Sequence, residues 1–187
     1  MIFLRISFFS GLVLFFALAP AWGGEGKAIP FQLQQKQQAP LSPKDLNKQV
    51  EQAIQDLTNE FREKKKRAPL SYSSILQKAG VDHSADMLKK HYLSHFSPKG
   101  KSVVDRVGHY TAIRTDIGEN IHTIQSPRGL TDPQTIAGTM LKDWEGSPSH
   151  RENLLSKKFT QSGVGCASDG SQIYCTQVFS GPNLPAH

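Results

Sequence analysis

The chain has 187 residues, 37% of them hydrophobic and 20% charged, with two cysteines and a formal net charge of +6 at pH 7. Beyond a short leader that length suits one domain with one core, and two cysteines are too few for a disulfide-dense mini-scaffold. The basic excess is mild and spread out apart from Lys64-Lys65-Lys66-Arg67, which reads as a solvated helix end or a weak attraction to an anionic envelope surface; with no nucleic-acid motif beside it, a nucleic-acid partner is argued against.

Residues 1–23 have the layout of an export signal: Arg5, an apolar run from Ile6 to Leu18, and small residues around Ala19-Pro20-Ala21-Trp22-Gly23. The run is shorter than the ~20 residues a membrane span needs, and no second run follows. A secreted or periplasmic product with no transmembrane span after signal removal is therefore expected. From Gly24 to Leu41 the chain is rich in glutamine and has no apolar period, which predicts a flexible linker (residues 24–41) before a domain over residues 42–187.

Ser42-Pro43-Lys44-Asp45 supplies a serine cap, a proline at the first helical position and a carboxylate three residues after the cap. Leu46, Val50, Ile54, Leu57 and Phe61 follow at helical spacing, so one helix with a single buried face should run to about Lys65. A second helix is expected from about Ser73 to Tyr92, with Ile75, Leu76, Ala79, His83, Met87 and His91 along one side. Gly80 inside it costs ~1 kcal/mol relative to alanine and weakens its middle. Proline and glycine turn the chain over Tyr92 to Gly100, and Ser102 to Asp105 offers a short helix start. Alternation from Asn120 to Ile124 is weakly strand-like. Thr131-Asp132-Pro133-Gln134 opens a helix whose Ile136, Met140 and Trp144 share a face and which Gly146 ends.

Ser147 then reads as an N-cap with Pro148 at the first position and His150 near the third. The positive end of a helix disfavours imidazolium, so His150 is expected neutral, with a lone pair for a metal or a proton. Gly163 to Ala167 and Gln172 to Phe179 read as the strands of a hairpin. A turn centred on Asp169-Gly170 puts Cys166 opposite Ile173 and leaves Cys175 diagonal at ~7 Å, marginal for a bridge; a turn centred on Gly170-Ser171 puts the cysteines directly opposite. In an exported chain a Cys166–Cys175 disulfide is the first reading and a pair of buried thiols the alternative. Helices come before strands without repeated alternation, which suggests an α+β fold with a small antiparallel sheet covered by helices.

Laid out in this order, the chain resembles the CAP superfamily (cysteine-rich secretory, antigen 5 and pathogenesis-related 1 proteins, or SCP domains) in its compact bacterial form. The resemblance spans roughly residues 46–183. It rests on Asn59 and Arg62, His83-Ser84-Ala85-Asp86-Met87, Ser94-His95-Phe96-Ser97-Pro98, Arg106, Gly118-Glu119-Asn120-Ile121, Trp144, Ser147-Pro148-Ser149-His150-Arg151, Asn153-Leu154-Leu155 and Gly163-Val164-Gly165. It implies a three-layer α-β-α sandwich with a central antiparallel sheet and an open cleft carrying two histidines and two acids. The matching positions are His95, His150 and Glu119. The second acid falls on Ser147, so this chain departs from the full set, and Glu145, one residue after Trp144, points elsewhere on a helix.

Two neutral imidazoles and a carboxylate are the ingredients for a divalent cation, typically zinc, with His95 and His150 as ligands. The separations in sequence are no metal motif in themselves; only the family fold would bring these residues together. In a hydrolase Glu119 would be the general base or a third ligand; without a metal the trio would close a hydrogen-bonded cleft. His91 and His95 are four apart, but Phe96-Ser97-Pro98 ends the helix there. No Gly-x-Ser-x-Gly turn supports an esterase. Arg106 and Arg151 are expected in buried or cleft-edge ion pairs, and Trp144 in the core. Three function classes follow. The favoured one is an exported, monomeric binding module for a lipid, sterol, peptide or cell-envelope glycan; the others are a metal-assisted hydrolase and an interaction protein whose cleft is only structural.

Overall fold

The computed structural model describes residues 41–127, 129–182 and 184; the expected export signal and residues 24–40 of the linker lie outside these. In chain order the described residues form α1 (Pro43–Lys64), β1 (Ser71–Tyr72), α2 (Ser74–Lys90), α3 (Val103–Gly108), β2 (Ile117–Gln125), α4 (Pro133–Gly146), α5 (Pro148–Leu155), β3 (Gln161–Ser168) and β4 (Gln172–Ser180). The caps anticipated from local chemistry hold for most helices. Ser42 accepts from the Asp45 N–H, Ser102 and Asp105 form a reciprocal capping box, and Asp132 accepts from the Gln134 and Thr135 N–H groups.

One four-stranded sheet, in the order β1-β3-β4-β2, is covered on both faces. β3 and β2 each pair antiparallel with β4, while β1 lies parallel to β3 at the edge. The sheet is thus antiparallel except for a two-residue strand that sequence periodicity cannot register. Alternation along β4 divides its side chains between the layers. Ile173, Cys175 and Phe179 join Leu46, Val50, Ile54, Met140 and Trp144 in the core beneath α1 and α4. Val178 packs with Ile75, Leu76 and Val107 of α2 and α3, and Tyr174 with Met87.

Gly80 interrupts nothing. α2 is continuous, and a Cβ at Gly80 would sit 2.8 Å from the Thr176 carbonyl oxygen, so the helix crosses the sheet too closely for any side chain there. The helix ends at His91, in a left-handed conformation and exposed, so the buried side expected to include His91 stops at Met87.

In the hairpin, the Asp169 N–H donates to the Gln172 carbonyl and the Asp169 carboxylate accepts from the Ser171 and Gln172 N–H groups. This centres the turn on Gly170-Ser171, the second of the two registers considered. Cys166 and Cys175 are therefore direct partners, 4.2 Å apart between Cα atoms, and form a disulfide.

Candidate functional site

β2 is an edge strand, and at its first half three separate elements converge on it. Glu119 comes from β2 itself. His95 lies in the turn after α2, and Arg106 of α3 pins that turn by donating from Nη1 and Nη2 to the His95 carbonyl (3.2 and 3.3 Å) and from Nη1 to the Lys101 carbonyl at 3.0 Å. His150 stands in the first turn of α5, which is bound to β2 through two amides. Asn120 Nδ2 donates to the His150 carbonyl at 3.1 Å, and Asn153 Nδ2 donates to the Glu119 carbonyl and to Asn120 Oδ1. β2 begins at Ile117, before the alternation that marked it in sequence, and its Gly118 lies against the Phe159 ring with no room for a Cβ.

Glu119 is buried, and both of its oxygens are engaged. Oε2 accepts from Arg106 Nη2, and Oε1 accepts from His95 Nδ1 at 2.8 Å. A carboxylate oxygen only accepts, so His95 donates from Nδ1, and in the neutral tautomer that does so the lone pair is on Nε2. The His95 side chain is 47% exposed against 3% for that of Glu119, so the carboxylate is a fixed floor and the imidazole a reachable edge.

The His150 ring lies beside that of His95, with centroids 6.3 Å apart. Its pKa is lowered from the ordinary histidine value by burial first and then by the neighbouring His95 and His122. The direction matches the neutrality expected from the helix start, but burial and like-charged neighbours supply it. Ser147 occupies the N-cap position of α5 without a side-chain capping bond; its hydroxyl is 3.5 Å from that of Ser149.

The donor chemistry fits a cation on two imidazoles. Two rings on one zinc, with bonds of ~2.1 Å, place their centroids roughly 5 Å apart, so closing from the observed separation takes a shift of about 1 Å by the exposed His95 ring. Among the described residues no group of three or more His, Cys, Asp or Glu side chains is arranged to hold a metal ion. Both Glu119 oxygens are engaged, one by His95 and one by Arg106, so Glu119 stands as a support to His95.

Arg106 takes the buried ion pair expected of it, whereas Arg151 is exposed. Trp144 is fully buried and donates from Nε1 to the Ile121 carbonyl, in agreement with a core role. Sequence reasoning missed His122, whose Nε2 lies 2.9 Å from Asp143 Oδ2 and whose ring meets Trp144 edge-on. Its place two residues after Asn120 on the same strand face was the available signal. A cavity of about 1040 Å³ lies away from the histidines. It is lined in part by Lys48, Gln77 and Glu51, whose carboxylate accepts from the Cys166 N–H and is raised in pKa chiefly by burial.

The model of the cysteine-rich secretory protein family (CAP) matches residues 55–179. The uncharacterized protein YkwD of Bacillus subtilis (strain 168) is 34% identical over 131 residues, 70% of this chain and 47% of that protein. The uncharacterized membrane protein YlbC of the same organism is 33% identical over 129 residues, 69% of this chain and 34% of its own length. Among solved structures, an extracellular protein containing a SCP domain from Bacillus anthracis superposes with a TM-score of 0.62 at 30% identity, covering 76% of this chain and 45% of that one. This chain therefore spans less than half the length of each of these relatives. With the sandwich in place and the match running from Gln55 on α1 to Phe179 on β4, the chain belongs to the cysteine-rich secretory protein (CAP) family.

Proposed function

We propose that this chain is an exported binding protein whose cleft holds a divalent cation, preferably zinc, on His95 and His150. The observation that carries the reading is the pairing of two adjacent imidazoles with a carboxylate that fixes the tautomer of one of them. A carboxylate behind a ligating histidine is the usual outer support of such a site. A cation held there supplies positive charge to the oxygen atoms of an incoming ligand, in keeping with a lipid, peptide or envelope glycan. Binding is favoured over hydrolysis because Glu119, the candidate base, is occupied on both oxygens by Arg106 and His95. Export is supported by the leader over residues 1–23 and by the extracellular description of the Bacillus anthracis protein. One Bacillus subtilis relative is described as a membrane protein, while no helix among the described residues here is long and apolar enough to cross a membrane.

Calorimetric titration of the metal-stripped protein with zinc tests the reading. Wild type should bind one ion weakly, since Ser147 adds no negative charge, and the His95→Ala, His150→Ala double variant should bind at least ~10-fold more weakly. Affinity should also fade as pH falls below about 6.5, where imidazoles protonate. Unchanged zinc affinity in the double variant would sink the proposal.

A further inference from the structure

The turn that carries His95 has a second character that the cleft does not use. Residues 89–104 contain four lysines and no aspartate or glutamate. Within the same stretch Leu93 is 50% exposed, Phe96 59% and Val104 50%, three of the large apolar side chains that the described surface leaves open. They have no place to retreat to. Arg106 clamps the His95 and Lys101 carbonyls together, and the Ser97 N–H donates to the Lys101 carbonyl while the Gly100 N–H donates to that of Ser97, so the turn is short and closed on itself. Lys89, Lys99 and Lys101 are exposed, and among the described residues none of the three joins an ion pair. Of the three aspartates near these lysines, Asp86 is taken by Lys90 and Tyr92, Asp105 is held by Ser102, and Asp82 accepts from the Tyr110 hydroxyl.

We propose that this turn docks the domain on an anionic lipid bilayer, with Leu93 and Phe96 entering the boundary between headgroups and acyl chains and Lys89, Lys99 and Lys101 on the headgroups. Charge complementarity selects the occupant: a segment that joins exposed apolar side chains to exposed lysines outside any ion pair matches a surface that is negative outside and apolar within. A folded protein partner would instead call for a shaped recess around the apolar tips. The cavity beside the turn, about 330 Å³, is lined by Lys90, Ser97, Lys99, Lys101 and acidic neighbours rather than by Leu93, Phe96 or Val104. Docking of this kind sets the His95–His150 cleft beside the membrane, and it does not depend on the cation.

The test uses the chain from Gly24 on, without the expected apolar leader, in the presence of a chelator, so that its outcome is separable from metal binding and from the leader. Because Cys166 and Cys175 are bonded to each other, a Phe96→Cys variant carries one reactive thiol for an environment-sensitive fluorophore. A Lys142→Cys variant, labelled on exposed α4 across the sheet, serves as the control. With vesicles of equal parts phosphatidylglycerol and phosphatidylcholine, emission at position 96 should rise about twofold or more and fall back near 1 M salt, with no change at position 142. Lys99→Glu with Lys101→Glu should weaken vesicle affinity by about tenfold or more, and Leu93→Ser should lower it further. Equal response to phosphatidylcholine alone, silence at position 96 while the chain sediments with vesicles, or the same response to soluble polyphosphate without lipid would each overturn the proposal.

Discussion

Arg106 does two jobs with one guanidinium: it neutralises a buried carboxylate and it ties the His95 turn to α3. Removing it strands Glu119 without a counter-charge, and breaking one side of a buried pair costs about 3–5 kcal/mol. Arg106→Ala should therefore lose at least ~3 kcal/mol in urea denaturation; a loss below ~1 kcal/mol would mean that water reaches Glu119 freely. His83 offers a second residue-scale test. Burial lowers its pKa and Arg106 adds to that, while Glu119, the Ser94 carbonyl and Asp86 oppose. The unfolded chain then takes up this proton at a higher pH than the folded one. The contribution is present in full above the unfolded value near 6.5 and is lost as pH falls through the lower folded value. Denaturation midpoints should hold above about pH 7 and decline below ~6.5, and His83→Gln should flatten that decline. The identities of His95, Glu119 and His150 were legible through the family resemblance. The pairing of Glu119 with Arg106 was not, since a buried ion pair across 13 residues leaves no spacing signal in the chain.

The elements that announced themselves were those with local grammar. Ser42-Pro43, Asp132-Pro133 and the Ser102/Asp105 box each satisfy backbone donors within one turn, so their sequence is enough to place them. Gly80 was misjudged as a weak point because its reason lies on another element. Its neighbours in space are Thr176 and Gly165, and Gly165 in turn has no room for a Cβ beneath Val81. Gly80→Ala should accordingly cost about 1–3 kcal/mol through overpacking despite the ~1 kcal/mol gain in helix propensity. Gly138→Ala on α4, where nothing lies within 4 Å of the new Cβ, should gain about 0.5–1 kcal/mol. If both substitutions stabilise in urea denaturation, the close crossing of α2 over β3 is wrong. The hairpin turn could not be decided in advance because Asp169-Gly170 and Gly170-Ser171 are equally good turn pairs; the side chain of Asp169, accepting two backbone N–H groups, settles it. The resulting bridge closes a loop of about 10 residues and should contribute about 2.5 kcal/mol. Denaturation in the presence and absence of a dithiol measures it, and no difference would show that the cysteines are free.

At the scale of the molecule, one sheet serves two cores, and its strands are shared rather than apportioned. On β4, Val178 faces Leu76 and Ile75 of α2 while the adjacent Phe179 faces the α1 and α4 layer, so neither layer can loosen without moving the strand that holds the other. Buried polar contacts reinforce the connection on both sides: Ser84 of α2 donates to the Gly165 carbonyl, and Gln177 Nε2 donates to Thr58 Oγ1 of α1. The domain should thus unfold as one unit, as small domains commonly do. Leu76→Ala removes a fully buried side chain from the α2 layer and should cost about 2–5 kcal/mol. Trp144 lies in the other layer, fully buried. With the expected leader over residues 1–23 removed, Trp22 goes with it and fluorescence reports Trp144 alone; the Leu76→Ala substitution should then shift the fluorescence transition and the far-ultraviolet circular dichroism transition to the same denaturant concentration. A fluorescence midpoint that stays at the wild-type value while the dichroism signal splits into two steps would show that the layers unfold separately and that the sheet does not couple them.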